Sequence, residues 1–138
     1  MNRLRRVLLG PGRLPEELRA TLTAENLVLL EENMTGSITY RNYRAPGQRS
    51  SLKKEAISGA IAVTASRLVV WTGRAKHIDV PLSHPLRAAI EVSLDPPDRV
   101  RFAYDAAAFG PSRSGQVEVR LRTPQAAHIA DLLAAARE

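Results

Sequence analysis

From residue 36 onward apolar side chains recur at every second position, and no other feature narrows the choice of fold as much. Ile38 and Tyr40 alternate with Ser37, Thr39 and Arg41, and Ile57, Gly59, Ile61 and Val63 share one face of a stretch over 56–64. A turn at Thr64-Ala65-Ser66 leads into Arg67-Leu68-Val69-Val70-Trp71, and Gly73-Arg74 turns back into 77–82. There Ile78, Val80 and Leu82 take one face, and His77 and Asp79 the other. Over 86–94, Leu86, Ala88, Ile90, Val92 and Leu94 alternate with Arg87, Glu91 and Ser93. Asp95-Pro96-Pro97-Asp98 is a turn, because proline fixes φ and aspartate bonds its own backbone. Val100, Phe102 and Tyr104, and after a polar loop Val117, Val119 and Leu121, repeat the alternation against charged neighbours. A period of two places consecutive side chains on opposite faces of a strand, so these segments predict an antiparallel sheet with one buried and one wet face.

Two segments break the period. Leu14-Pro15-Glu16-Glu17-Leu18 reads as a short helix, with proline at a first helical position and acids at the positive end of the helix dipole. At the other end, Thr123 is an N-cap candidate and Pro124 suits the first turn. Ala126, Ile129, Ala130, Leu133 and Ala136 then recur at helical spacing, with Leu132 off that stripe. Leu27-Val28-Leu29-Leu30 fits a strand or more helix by periodicity, and Asn26 and Asn33 on either side favour a strand. The sum is seven to eight antiparallel strands in a bent sheet or partly open barrel, all-β with one C-terminal helix as a cap. A length of 138 residues suits one domain with a single core, expected over 14–138 behind a basic arm at 1–13.

There are no cysteines, which removes disulfides, thiolate metal sites and cysteine nucleophiles. The opening MNRLRRVLLGPG has cations before Val7-Leu8-Leu9, but its apolar run stops at Gly10-Pro11, short of a signal peptide. No stretch approaches the ~20 apolar residues of a membrane span. The expectation is a cytoplasmic chain without a transmembrane segment, able to sit at the membrane periphery.

The net charge of +6 is unevenly spread. Residues 1–13 hold four arginines and 41–54 hold Arg41, Arg44, Arg49, Lys53 and Lys54, with no acid in either. Of 20 Lys and Arg, nine fall in these two segments, so the remaining 11 face 14 acids. The excess is local, unlike the broad basic face of a general nucleic-acid binder, and nucleic acid is disfavoured as a partner.

At this point YRNYRAPG, GAIAVTASRLVVW (59–71) and SGQVEVRLRTPQAA bear on family. The hairpin at 59–71 resembles a strand-turn-strand signature of bacterial members of the pleckstrin-homology-like superfamily. The three segments together are similar to a bacterial PH-like family without an assigned activity, over residues 26–138. The resemblance implies seven strands in two near-orthogonal sheets and a C-terminal capping helix, against a tally of eight here. Either 27–30 is not a strand or it is an addition. Phosphoinositide-binding relatives carry alternating Lys and Arg on the strand after a basic loop. Lys53 and Lys54 are adjacent, point to opposite faces, and do not reproduce that pattern.

Candidate ligand-binding residues are therefore Arg41, Arg44, Arg49, Lys53 and Lys54, facing an anionic lipid surface or a protein. A merely solvated loop is the competing reading, since charge runs are commonly that. Tyr40 and Tyr43 could stack on bases, yet on a strand they read better as packing. His77 and Asp79 are spaced like an acid/base or metal pair, but His84 and His128 supply no identifiable third group. Asp95, Asp98 and Asp105 lack the compact glycine loop of a calcium site. Ser112 and Ser114 lack a nucleophile elbow. Trp71 reads as a core anchor. No cofactor, metal or catalytic residue is expected. The function expected is a non-catalytic binding module, with a structural or oligomerising module joined through sheet edges as the alternative, and an enzyme behind both.

Overall fold

The computed structural model describes residues 12–72, 76–83 and 85–137. Most of the basic arm, the turn residues 73–75 and His84 lie outside that range, as do the side chains of Leu86 and Ala136. The chain forms α1 (Glu16–Ala24), β1 (Leu27–Ala45), β2 (Gln48–Thr64), β3 (Arg67–Trp71), β4 (Lys76–Pro81), the single turn α2 (Pro85–Ala88), β5 (Glu91–Asp95), β6 (Arg99–Asp105), a 3₁₀ turn (Ala106–Phe109), β7 (Ser114–Arg122) and α3 (Ala126–Arg137). Seven antiparallel strands make one sheet in the order β4-β3-β2-β1-β7-β6-β5. The sheet curls into a half-barrel, bringing Ile78 and Val80 of β4 into one apolar cluster with Val100 and Phe102 of β6.

The strand expected at 27–30 is the beginning of β1 and not an eighth strand. Asn33 sits at φ 60 and Asn42 at φ 50, a left-handed conformation that asparagine tolerates better than most side chains. The register against β2 shifts between Glu31 and Met34, so the polar run Glu31-Glu32-Asn33 is a bulge that bends the strand without ending it. The bulge is tied down from outside: Asn33 N–H donates to the Gly12 carbonyl at 2.6 Å. Glu32 accepts from Leu14 N–H at 2.9 Å and pairs with Arg19 of α1.

Two cores result. On the concave side Ile38, Ile61, Leu68, Val80, Phe102, Val119 and their neighbours meet Ala126, Ile129 and Leu133 of α3. Thr123 Oγ1 accepts from Gln125 N–H at 3.1 Å at the start of that helix, so the expected stripe and cap are both present. Leu132 is partly buried against the same core. On the convex side Leu14, just ahead of α1, and Leu18 and Leu22 within it pack over Ala60, Ala62 and Val69, with Trp71 at the margin. Each fully buried Leu or Ile contributes ~1.5–3 kcal/mol.

The continuous strand expected over 86–94 is the principal correction. Pro85 starts a helical turn, Ile90 N–H closes onto the Arg87 carbonyl at 3.2 Å, and β5 begins only at Glu91. The alternation of Leu86, Ala88 and Ile90 was fortuitous, because one helical turn followed by a bend can mimic period two over so few residues. Arg87, expected on a wet face, is 2% exposed. Its guanidinium donates to the Ile90 carbonyl at 3.2 Å and to the Leu133 carbonyl at 2.6 Å. A cation thus meets carbonyls near the negative end of α3, where the helix dipole favours it. Arg87→Ala is expected to destabilise the fold by ~3 kcal/mol, since it orphans buried carbonyls and opens a cavity. Arg122→Ala, which loses only an exposed pair with Asp98, should change stability by less than ~1 kcal/mol. Urea unfolding of both variants checks the contrast.

Candidate functional site

The basic segment 41–54 is the distal half of the β1–β2 hairpin, folded back at Pro46-Gly47 with Gly47 at φ 76. It is strand, not loop, on both arms. Its register against β2 is unbroken from Met34↔Gly59 to Ala45↔Gln48. Arg44 stands directly across from Arg49, an arrangement that like charges disfavour unless something anionic is near.

The five cations are divided between the two faces, as adjacent Lys53 and Lys54 require. Arg49 and Lys53 line a cleft of about 460 Å³ with Tyr40, Tyr43, Ser50 and Glu55. Lys54 lines a smaller convex depression with Thr35, Ser37, Arg99, Arg120 and Arg122. Two of the five have carboxylate partners: Arg41 Nε donates to Glu118 at 3.1 Å, and Lys53 pairs with Glu55 at 2.9 Å. Among the described residues no carboxylate pairs with Arg44, Arg49 or Lys54.

On the convex face Glu118, 8% exposed, accepts from Arg41 and Arg101 at 3.1 Å each and from Arg120 at 2.7 Å. Burial pushes its carboxyl pKa up, but the hydrogen bonds from Arg101, Arg41 and Arg120 outweigh that and hold it below the usual value. Arg120 and Arg99 share Asp95 at 3.2 and 3.1 Å. Those pairs offset the direct opposition of Arg120 to Arg101 and of Arg122 to Arg99.

Behind the hairpin the concave side is aromatic. Tyr40 and Tyr43 pack edge to face at 4.9 Å. Strict alternation would send Tyr43 to the opposite face. The left-handed Asn42 and a bulge against β7 between Arg41 and Arg44 turn it inward. Gly115, at φ 101, makes room, because a Cβ there would collide with the Asn42 carbonyl. Tyr104 meets Phe109 at 4.8 Å and shares a 2.7 Å hydrogen bond with His77 Nε2. Tyr40, Tyr43, His77, Tyr104, Phe109 and Arg113 line a second hollow of about 350 Å³ that adjoins the cleft through the two tyrosines.

The expected sharing of one face by His77 and Asp79 does not hold. A register shift in β4 next to Trp71 turns His77 towards Tyr104 on the concave side, while Asp79 lies 3.7 Å from Arg67. Asp105 accepts from Ala107 N–H at 2.9 Å and caps the 3₁₀ turn. His128 is exposed on α3. Among the described residues no three His, Asp or Glu side chains are grouped to hold a metal, and no helix is long and apolar enough to cross a membrane.

Sequence reasoning missed Arg113, Phe109 and the His77–Tyr104 bridge. Only the concentration of all three tyrosines near basic residues hinted at them. Compared with protein-family models, with curated proteins and with solved structures, the chain matches none. What the site can do therefore rests on its own chemistry: cations at the rim and aromatic rings beneath, with the hydrogen-bonded His77–Tyr104 pair and Arg113 lining the adjoining hollow.

Burial holds the His77 imidazole down at about 4. Its folded value lies below the ~6.5 of an exposed imidazole, so its contribution is complete above that pH and is lost as pH falls from there through about 4. His77→Phe is therefore expected to flatten the acid sensitivity of stability between about pH 6.5 and 4 by ~3 kcal/mol. Equal slopes for parent and variant in urea titrations across that window would contradict this assignment.

Proposed function

We propose that this chain is a non-catalytic binding module of the PH-like class whose cationic hairpin, residues 41–54, engages an anionic partner. The observation that carries the reading is the state of Arg44, Arg49 and Lys54. All three are exposed on a hydrogen-bonded two-stranded arm, and no carboxylate pairs with them among the described residues. Solvated lysines and arginines on an unsupported loop would lose chain entropy on binding, and strand pairing reduces that loss before a ligand arrives. The tyrosine-floored cleft beside Arg49 and Lys53 adds apolar area next to the charge. The PH-like part of the reading draws on the seven-stranded order and the C-terminal helix packed into the core.

Each cation near an anionic surface contributes about 1 kcal/mol, so the three together are worth roughly a hundredfold in affinity. The combined variant Arg44→Ser, Arg49→Ser, Lys54→Ser is expected to weaken binding by about that factor. The probes are polyglutamate and phosphatidylserine-rich vesicles, titrated separately, with parent binding falling as salt rises. A parent protein that binds neither probe, or a variant that binds as well as the parent, overturns the proposal.

A further inference from the structure

The two arms of the hairpin are not covered alike. β1 is flanked on one side by β2 and on the other by β7, which follows it out to the pairing of Arg44 with Ser114. β2 has β1 on one side, but on the other β3 pairs only with residues 60–63. The Trp71 carbonyl, against which a Cβ on Gly59 would collide, marks where that cover begins. Beyond it, residues 48–58 of β2 have one edge with no strand partner among the described residues; Ile57 and Ser58 are buried, so the part open to solvent is 49–56. Along such an edge alternate residues aim N–H and C=O groups at solvent, a ready template for another strand.

Edges of this length are ordinarily blunted by a bulge, a proline or inward charge. Here the segment contains no proline and its register with β1 is regular throughout. The one protective feature is charge. Arg49 and Lys53 flank the edge on the concave side and Lys54 on the convex side, beside Leu52, which is 63% exposed. The single acid, Glu55, is engaged by Lys53. A second copy laid antiparallel along 49–54 brings cations against cations, which directly opposed strand positions disfavour. A strand with carboxylates on one face meets the opposite situation.

We propose that an extended acidic segment of a partner protein adds to the open edge of β2 as a further strand. Its backbone completes the hydrogen bonds of residues 49–56. Its carboxylates lie beside Arg49, Lys53 and Lys54, with an apolar side chain over Leu52. Main-chain pairing supplies affinity and the flanking charges supply selectivity. The proposal rests on the cationic-hairpin reading above and names its partner class.

The test separates backbone from charge. A short peptide alternating glutamate with valine is compared with two versions N-methylated at alternate residues, one in each parity. N-methylation removes donors and leaves charge intact. Strand addition predicts that one methylated version binds at least about tenfold more weakly and the other binds nearly as well as the parent peptide. It also predicts that amides within 49–56 gain hydrogen-exchange protection on binding. If both methylated peptides bind like the parent peptide and no amide is protected, strand addition is wrong. Loss of that binding in the Arg44, Arg49, Lys54 variant would still leave the charge reading standing. Binding of phosphatidylserine-rich vesicles without binding of any peptide defeats the inference in favour of a lipid surface, and binding of neither defeats both readings.

Discussion

The long, bulged central strand β1 is the element on which the rest of the molecule depends. Running from Leu27 to Ala45, it joins the two halves of the sheet, pairing with β2 and its β3–β4 extension on one side and, from Thr35 to Arg44, with β7 and so β6–β5 on the other. A straight strand of that length would hold the sheet open. Asparagines in the left-handed conformation at positions 33 and 42 bend it at two points while the ladder continues. Gly36, where a Cβ would meet the Arg120 carbonyl, lets β7 approach closely between those bends. Curling then brings β4 opposite β6, and the His77–Tyr104 hydrogen bond spans the gap between strands that are not neighbours in the sheet.

From that curvature follows a separation of chemistries. The concave side collects the apolar core, with an aromatic floor at its open end. The convex side over β1, β7, β6 and β5 collects arginines, which are tolerated because Glu118 and Asp95 each serve more than one guanidinium. Removing a buried shared acceptor of this kind leaves several cations uncompensated at once, so the stability of that face is concentrated in few residues. The hairpin tip lies beyond both networks. Among the described residues, its Arg44 and Arg49 have no carboxylate partner.

Much of the architecture was legible in the residues. Alternation identified the faces of β2, β6 and β7, because a side-chain period of two survives wherever a strand stays regular. The cap at Thr123 and the stripe of Ala126, Ile129 and Leu133 identified α3. What escaped shared a cause: a local departure from period that the sequence does not mark. The bulge at Glu31–Met34 made one strand look like two, and the left-handed Asn42 sent Tyr43 inward. Pro85 opened a helical turn inside an apparently alternating run. Arg87 was unreadable for a further reason, since only the packing of α3 brings the carbonyl of Leu133, 46 residues away, within reach. The cationic positions of the candidate site could be named from composition. Their division between two faces followed from Lys53 and Lys54 being adjacent, whereas the pairing of Arg41 with Glu118 depends on tertiary structure.

The central physical claim is that 41–54 is a regular two-stranded arm with one covered and one open edge, and not a solvated loop. Residue-resolved amide hydrogen exchange of the free protein tests this most directly. Amides of 41–54 that face across the β1–β2 ladder should exchange slowly, while those of β2 on its open edge exchange quickly, giving an alternating pattern along the strand. Uniformly fast exchange from Arg41 to Lys54 would contradict the account.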